Sequence, residues 1–228
     1  MAQVKLLNGF KGNPKANQEK YVESREPVHV AISLDGEPTL YPRLPELITH
    51  MHHHGMTTFL VTNGTNPDAL RALRDADALP TQLYVSTCAF DEFSYHSTLQ
   101  PKIANGWEKL NETLELLPEL KTRKVLRLTL VRDYNFAFPE KYAELVKKAK
   151  PHFVECKAYM NVGYSVNRLT RDNMPTHTEI LDFSKKLAEY AGYVYADDQE
   201  ISRVALLCRD ETVNANRREL YDKSKWVE

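Results

Sequence analysis

Short apolar runs alternate along this chain with segments of helical periodicity. Residues 28–34 form an apolar run that stops at Gly36-Glu37-Pro38. A helical pattern over 44–54 follows and closes at Gly55; this is the signature of a buried strand feeding a loop and then a helix. Residues 57–62 (Thr-Thr-Phe-Leu-Val-Thr) predict a second strand, which ends in Asn63-Gly64-Thr65-Asn66-Pro67. Pro67 suits the first turn of a helix reaching about residue 76. Residues 82–86 predict a third strand. A helix over 105–117 then carries Trp107, Leu110, Leu114 and Leu117 on one face. Strands are expected at 124–131 and 153–159, with a helix at 139–149 between them. Thr176 and Glu179 fit a capping box ahead of a helix that stops before Gly192. Residues 202–207 form a last apolar run, read as a strand.

Strands alternating with helices mean βαβ units around a parallel sheet. About five units are visible, too few for a closed eight-fold barrel. Residues 1–27 are polar and locally basic through Lys5, Lys11, Lys15 and Lys20. They read as a solvated lead-in or a phosphate-contacting loop. Residues 28–209 hold the strand-helix pattern, and 210–228 read as a polar C-terminal tail. No linker or short repeat divides the chain.

Composition narrows the classes. With 30 Lys+Arg against 31 Asp+Glu, the net charge of −1 gives no bulk sign of a nucleic-acid binder, although a local basic patch remains compatible with it. No apolar run is long enough to span a bilayer, so no membrane partner is expected. Cys88, Cys156 and Cys208 are far apart and form no CxxC cluster. An odd count without a secretory leader pattern predicts reduced thiols and a cytoplasmic protein.

The chemistry gathers at strand ends. Gly36 and Glu37 follow the first strand, Asn63 and Gly64 the second, and Ser86 ends the third. Arg127, Thr129 and Lys157 interrupt otherwise apolar strands. Burying such groups unpaired costs on the order of 2–7 kcal/mol each even when neutral, so an internal network or a polar ligand must satisfy them. A glycine permits close backbone approach, a glutamate accepts from an ammonium group, and Pro38 stiffens the turn. The same Gly-Glu-Pro also serves as an ordinary strand-exit turn. Lys157 has two readings: an amine for Schiff-base chemistry, or an ion-pair partner of Glu37 or Glu155. His50, His52, His53 and His54 resemble a metal cluster in composition only; without a spaced acidic or thiol partner they read as a solvated helix end. The loop Gly163-Tyr164-Ser165-Val166-Asn167-Arg168-Leu169 is either a plain loop or an aromatic and arginine surface for stacking a base.

Taken together, several segments resemble the radical S-adenosylmethionine superfamily. They are Gly-Glu-Pro, Thr-Asn-Gly after the next strand and Tyr-Val-Ser after the third. Within that superfamily Phe10-Lys11-Gly12-Asn13-Pro14, Ser33-Leu34-Asp35-Gly36-Glu37-Pro38-Thr39-Leu40-Tyr41-Pro42, Phe59-Leu60-Val61-Thr62-Asn63-Gly64-Thr65 and Thr81-Gln82-Leu83-Tyr84-Val85-Ser86 are similar to the 4-demethylwyosine synthase family of wybutosine-type tRNA modification. So are Arg127-Leu128-Thr129-Leu130-Val131 and Val162-Gly163-Tyr164-Ser165. The resemblance runs from about residue 7 to residue 209. It implies an α/β fold, a partial (β/α)6 radical-SAM-type barrel incomplete at its N-terminal side. It implies a lyase that uses a [4Fe-4S] iron-sulfur cluster to cleave S-adenosylmethionine. Pyruvate and N1-methylguanosine at position 37 of tRNA-Phe would then be condensed. By resemblance, Gly36, Glu37 and Pro38 hold the methionine part of the cofactor, and Asn63, Ser86 and Thr129 line its ribose and carboxylate. Lys157 is the candidate for pyruvate capture, and residues 164–168 face the tRNA.

The family carries a CxxxCxxC cluster loop ahead of the matched segment, and these 228 residues contain no such spacing. Three thiolates are needed to leave one iron open. Cys88 also stands where the family usually has aspartate. The expectation is that this chain alone does not hold the cluster: it is a truncated gene product, one half of a split enzyme that a separate cluster-bearing N-terminal half completes, or a degenerate paralogue. The alternative is a non-catalytic module that binds tRNA or S-adenosylmethionine.

Overall fold

The computed structural model describes residues 2–33 and 36–219, with side chains from residue 5 onward. In chain order the elements are α1 (Ala2–Asn8), α2 (Gln18–Glu23), β1 (His29–Ile32), α3 (Leu44–His53), β2 (Thr57–Thr62), α4 (Pro67–Asp75), β3 (Gln82–Ser86), α5 (Glu92–Leu99) and α6 (Gly106–Leu116). There follow β4 (Arg123–Leu130), α7 (Pro139–Ala149), β5 (Phe153–Ala158), α8 (His177–Ala191), β6 (Val194–Gln199), β7 (Val204–Cys208) and α9 (Glu211–Ala215). The predicted helices and strands of the central part are present within a residue or two. The end of the first expected strand, at Leu34, lies outside the described residues, as does the tail from residue 220.

Among the described residues the strands form one seven-stranded sheet in the order β1-β2-β3-β4-β5-β7-β6. Strands β1 to β5 are all parallel, whereas β7 runs antiparallel to β5 and β6 antiparallel to β7. Each parallel strand steps to the next in sequence in the same direction. Right-handed crossovers therefore place their helices on one face. That face holds the main core: Ile48 of α3, Leu70 and Leu73 of α4, Leu110 and Leu114 of α6, Tyr142 and Val146 of α7, and Ile180 and Leu187 of α8 close on Leu60, Leu83, Leu126, Leu128 and Val154. Alternate residues point to the other face, where Val125, Phe153, Cys208 and Val213 cluster, joined by Tyr84 and Leu206.

Local chemistry sets the helix limits. Asn66 caps α4 through a side chain that accepts from Ala69 N, with Pro67 in the first turn. The predicted capping box of α8 is present in both directions between Thr176 and Glu179, and Gly192 ends the helix at φ +73°.

Four segments depart from the sequence reading. The lead-in carries α1 and α2, short helices with no buried hydrophobic face in α2. Helix α5, unassigned in sequence, starts with a capping box between Asp91 and Ser94. Its hydrophobic residues follow no helical stripe, so periodicity gives no signal. Strand β6 is Val-Tyr-Ala-Asp-Asp-Gln, mostly exposed at the sheet margin, and was hidden by its acidic residues. The stretch expected to be tail begins instead with α9, which buries Val213 against the second face. No described helix is long and apolar enough to cross a membrane.

Two predictions follow from the packing. Gly64 sits at φ +73°, and a Cβ there would lie 2.7 Å from Leu110 Cδ1 and 3.0 Å from Val85 Cγ1. Because Leu110 and Val85 are fully buried, Gly64→Ala is expected to destabilise by about 1–3 kcal/mol in urea denaturation. His152 is 2% exposed, and its Nδ1 accepts from Lys124 N at 3.0 Å. Burial first, then the positive field of Lys124, Arg209 and Arg123, lowers its pKa from 6.5 to about 3. Between those two values the unfolded chain binds a proton that the folded chain does not, so stability falls as pH falls through that window. His152→Gln is expected to reduce that slope by up to about 1.4 kcal/mol per pH unit in pH-dependent denaturation.

Candidate functional site

Parallel strands end together, so the loops after β1, β2 and β3 share one rim. A 3₁₀ turn at Pro38–Leu40 follows Glu37, with Pro38 in its first turn. Gly36 holds φ +75° in an exposed position. The Glu37 carboxylate joins two loops. Its Oε1 accepts from Thr39 N at 3.1 Å, Thr39 Oγ1 at 2.7 Å and Thr62 Oγ1 at 2.6 Å, and its Oε2 accepts from Asn63 N at 2.8 Å. Asn66 Nδ2 donates back to Thr39 O at 2.9 Å, closing the clamp. Two carboxylate oxygens offer about four acceptor directions, and Oε2 uses one here, so it retains capacity for a further donor.

Asn63 turns its Oδ1 to Thr65, accepting from the backbone N at 2.9 Å and from Oγ1 at 2.6 Å. Its amide NH₂ therefore faces away from its own turn. Glu37, Asn63 and Ser86 line one cavity of about 660 Å³, together with Cys88, Tyr95, Lys102 and Lys109. Gly36 and Pro38 shape its entrance loop without lining it. Thr129 and Lys157 stand on the same side of the sheet, farther along. They face each other as register partners between β4 and β5, outside the lining of that cavity.

The polar strand residues are met by an internal network. Arg127 Nε donates to Glu155 Oε1 at 2.8 Å, Tyr84 OH donates to Glu155 Oε2 at 3.2 Å, and the Arg127 guanidinium lies 4.8 Å from the Tyr84 ring centre. Burial and the Glu155 charge push the Tyr84 hydroxyl pKa up. This corrects one reading of Lys157: Glu155 is committed to Arg127, and Glu37 to its own loops. The half-buried Lys157 ammonium makes no hydrogen bond or ion pair with the described residues. After β5, Gly163–Asn167 form a 3₁₀ turn with Tyr164 94% exposed, and Arg168, just past it, reaches Thr98 O with Nη2 at 3.4 Å.

Sequence reasoning missed two contributors. Helix α5 and the segment after it supply Tyr95, Leu99, Pro101, Lys102 and Ile103 to the cavity wall; the Asp91-x-x-Ser94 cap was the available signal. Fully buried Asn135 staples the ends of β3 and β4. Its Nδ2 donates to Cys88 O at 2.8 Å and Thr129 O at 2.9 Å, and its Oδ1 accepts from Val131 N at 2.6 Å. A lone Asn in a loop carries no such information in sequence.

The cysteines do not form the thiolate set of an iron-sulfur cluster. Cys156 lies in the helix-side core and Cys208 on the opposite face of the sheet. Burial pushes their thiols up to about 12 and about 11, and burial also raises that of Cys88; metal ligation needs the thiolate. Among the described residues no three His, Cys, Asp or Glu side chains are grouped to hold a metal ion. His52 Nε2 instead lies 2.9 Å from Thr58 Oγ1, and His54 Nδ1 2.8 Å from His50 O.

Comparison with known proteins places the chain in a family. The family model for the radical SAM superfamily matches residues 13–174, and that for wyosine base formation matches residues 148–209. The chain is 53% identical over 211 residues to the S-adenosyl-L-methionine-dependent tRNA 4-demethylwyosine synthase of Pyrococcus abyssi, covering 92% of this chain and 62% of that protein. It is 38% identical to the Schizosaccharomyces pombe protein of the same name, over 83% of this chain and 27% of that one. A solved structure of TYW1 with a lysine-pyruvate adduct bound superposes with a TM-score of 0.82 at 41% identity, covering 92% of this chain and 66% of that chain. The chain thus spans about three fifths of the length of its archaeal relatives. With the superfamily model spanning most of its residues, this protein belongs to the radical SAM superfamily, and the relatives it resembles there are tRNA 4-demethylwyosine synthases.

Proposed function

We propose that this chain is the S-adenosylmethionine-binding and substrate-facing part of a tRNA 4-demethylwyosine synthase, which condenses N1-methylguanosine-37 of tRNA-Phe with pyruvate in the cytoplasm. The observation that carries the reading is the Glu37 carboxylate, fixed by four hydrogen bonds at the mouth of a cavity of about 660 Å³. The names of the relatives favour an enzyme over a non-catalytic module.

In this reading Glu37 Oε2 accepts from the ammonium of the methionine part. Gly36, at φ +75°, lets the backbone lie against that part, and Pro38 fixes the turn. The Asn63 amide and the Ser86 hydroxyl meet the ribose, and Thr129 meets the carboxylate. A [4Fe-4S] cluster supplies the electron for cleavage in this superfamily. The described residues offer no fitting ligands, and in this reading a cluster-bearing N-terminal half supplies the thiolates. Lys157 meets pyruvate: its ammonium is half-buried, pairs with no described residue, and lies beside Thr129 on the same rim. Tyr164 and Arg168 face the tRNA, where an exposed ring and a guanidinium suit stacking on an unpaired base.

Calorimetric titration of the chain with S-adenosylmethionine tests the first assignment. Glu37→Gln is expected to weaken binding at least about 10-fold, corresponding to a lost charge-assisted hydrogen bond. Absence of binding by the unaltered protein would remove the reading. Borohydride reduction in the presence of pyruvate, followed by peptide mapping, tests Lys157. A reduced adduct at residue 157, lost in Lys157→Arg, is the expected outcome. Mapping to a different lysine of the completed enzyme would move pyruvate capture away from Lys157.

A further inference from the structure

On the sheet face turned away from the helices, Arg127 carries donors that the fold does not use. Arg127 and Thr129 alternate along β4 with Leu126, Leu128 and Leu130, which belong to the helix-side core. Glu155 and Lys157 alternate in the same way with Val154, Cys156 and Ala158 on β5. Period-two alternation therefore sets all four polar side chains on the opposite face. Register pairs Arg127 with Glu155 and Thr129 with Lys157. Resting on the pyruvate reading of Lys157 above, we propose that Arg127 is the carboxylate receptor for a small 2-oxo acid whose keto group meets Lys157.

An arginine carries five N–H donors. Here Nε donates to Glu155 Oε1 at 2.8 Å, and no described residue accepts from Nη1 or Nη2. The Tyr84 ring covers one side of the guanidinium at 4.8 Å, and its hydroxyl donates to Glu155 Oε2 at 3.2 Å. The group is thus held at one edge and one face, and the edge with both Nη atoms stays available. That edge matches a carboxylate with two parallel bonds, and its fixed plane leaves little to order when a ligand arrives. Charge points the same way. Arg127 and Glu155 offset each other, so Lys157 leaves a surplus of one positive charge, which one carboxylate balances. The Arg127 side chain is 27% exposed and that of Glu155 15%, so water screens the match only in part. Strand geometry limits the ligand's size: strands about 4.8 Å apart and a two-residue advance of about 6.6 Å put the Arg127 and Lys157 Cα atoms about 8 Å apart. Two long side chains starting so close suit a molecule of a few heavy atoms. In a 2-oxo acid the keto carbon is bonded directly to the carboxylate. Lys157, after releasing a proton to solvent, bonds through nitrogen to the keto carbon, and the keto oxygen leaves as water. The carboxylate is not consumed and stays on Arg127.

Oxamate has the shape and charge of pyruvate but an amide carbon that forms no imine, so it separates Arg127 from Lys157. Calorimetric titration of the full chain is expected to give saturable one-site binding of oxamate, and none of the uncharged oxamide at the same concentrations. Arg127→Lys keeps a cation beside Glu155 but loses the two-nitrogen edge. Arg127→Gln combined with Glu155→Gln removes both charges, so neither is left buried alone. In both variants oxamate binding is expected to weaken at least about 10-fold, as for a lost bidentate charge-assisted pair. The affinity for S-adenosylmethionine and the thermal midpoint are expected to change little. Absence of oxamate binding by the unaltered chain, or binding unchanged in both variants, would overturn the proposal. An equal loss of S-adenosylmethionine binding would also overturn it, because Arg127 would then serve the cofactor's carboxylate. Borohydride trapping with pyruvate reports on Lys157 separately. No adduct at residue 157, with oxamate binding still dependent on Arg127, removes the Schiff-base reading and keeps Arg127 as the carboxylate receptor.

Discussion

The structure depends on one constraint: five neighbouring strands run the same way, in sequence order, beneath one layer of helices. A parallel sheet has two chemically different ends. At the carboxyl end the chain leaves each strand into a loop, and polar side chains from segments distant in sequence meet there. At the amino end it enters from the helices, and Lys121, Lys124 and Lys150 come to line one small cavity. The cavity of about 660 Å³ with Glu37 and the cavity of about 120 Å³ with Lys124 are the two outcomes of that single asymmetry.

Each rim is then held by bonds between strands rather than within them. At the carboxyl end Glu37 ties the loop after β1 to the turn after β2, and Asn135 ties the ends of β3 and β4. Gly64 matters for the same reason: the turn after β2 packs directly against α6, leaving no space for a Cβ. A charged group with all but one of its acceptor directions filled by its own loops is pre-organised, so a ligand need order little on arrival. Between the two rims the Arg127, Glu155 and Tyr84 network satisfies polar groups that would otherwise be costly in a strand interior. That network occupies Glu155, and the Lys157 ammonium, two residues on along the same strand, has no ion pair among the described residues.

The chain itself determined the parallel architecture and the sites where its chemistry gathers. Apolar runs, the Pro67 and Thr176 helix starts and the Gly55 and Gly192 stops are local signals, each read within a few residues, and the strand-end groups Glu37, Asn63 and Ser86 were legible from their positions. Helix α5 and strand β6 were not, because Phe93 and Tyr95 follow no stripe and Asp197 and Asp198 mask an edge strand. Only the tertiary structure decided which polar groups are partners. Glu155 faces Arg127 rather than Lys157, Asn135 bridges two strands, and Lys121, Lys124, Lys150 and Arg209 line one cavity. These choices follow from register between segments distant in sequence, 28 residues for Arg127 and Glu155 and 47 for Asn135 and Cys88, and no local pattern encodes a register that exists only once the sheet has closed.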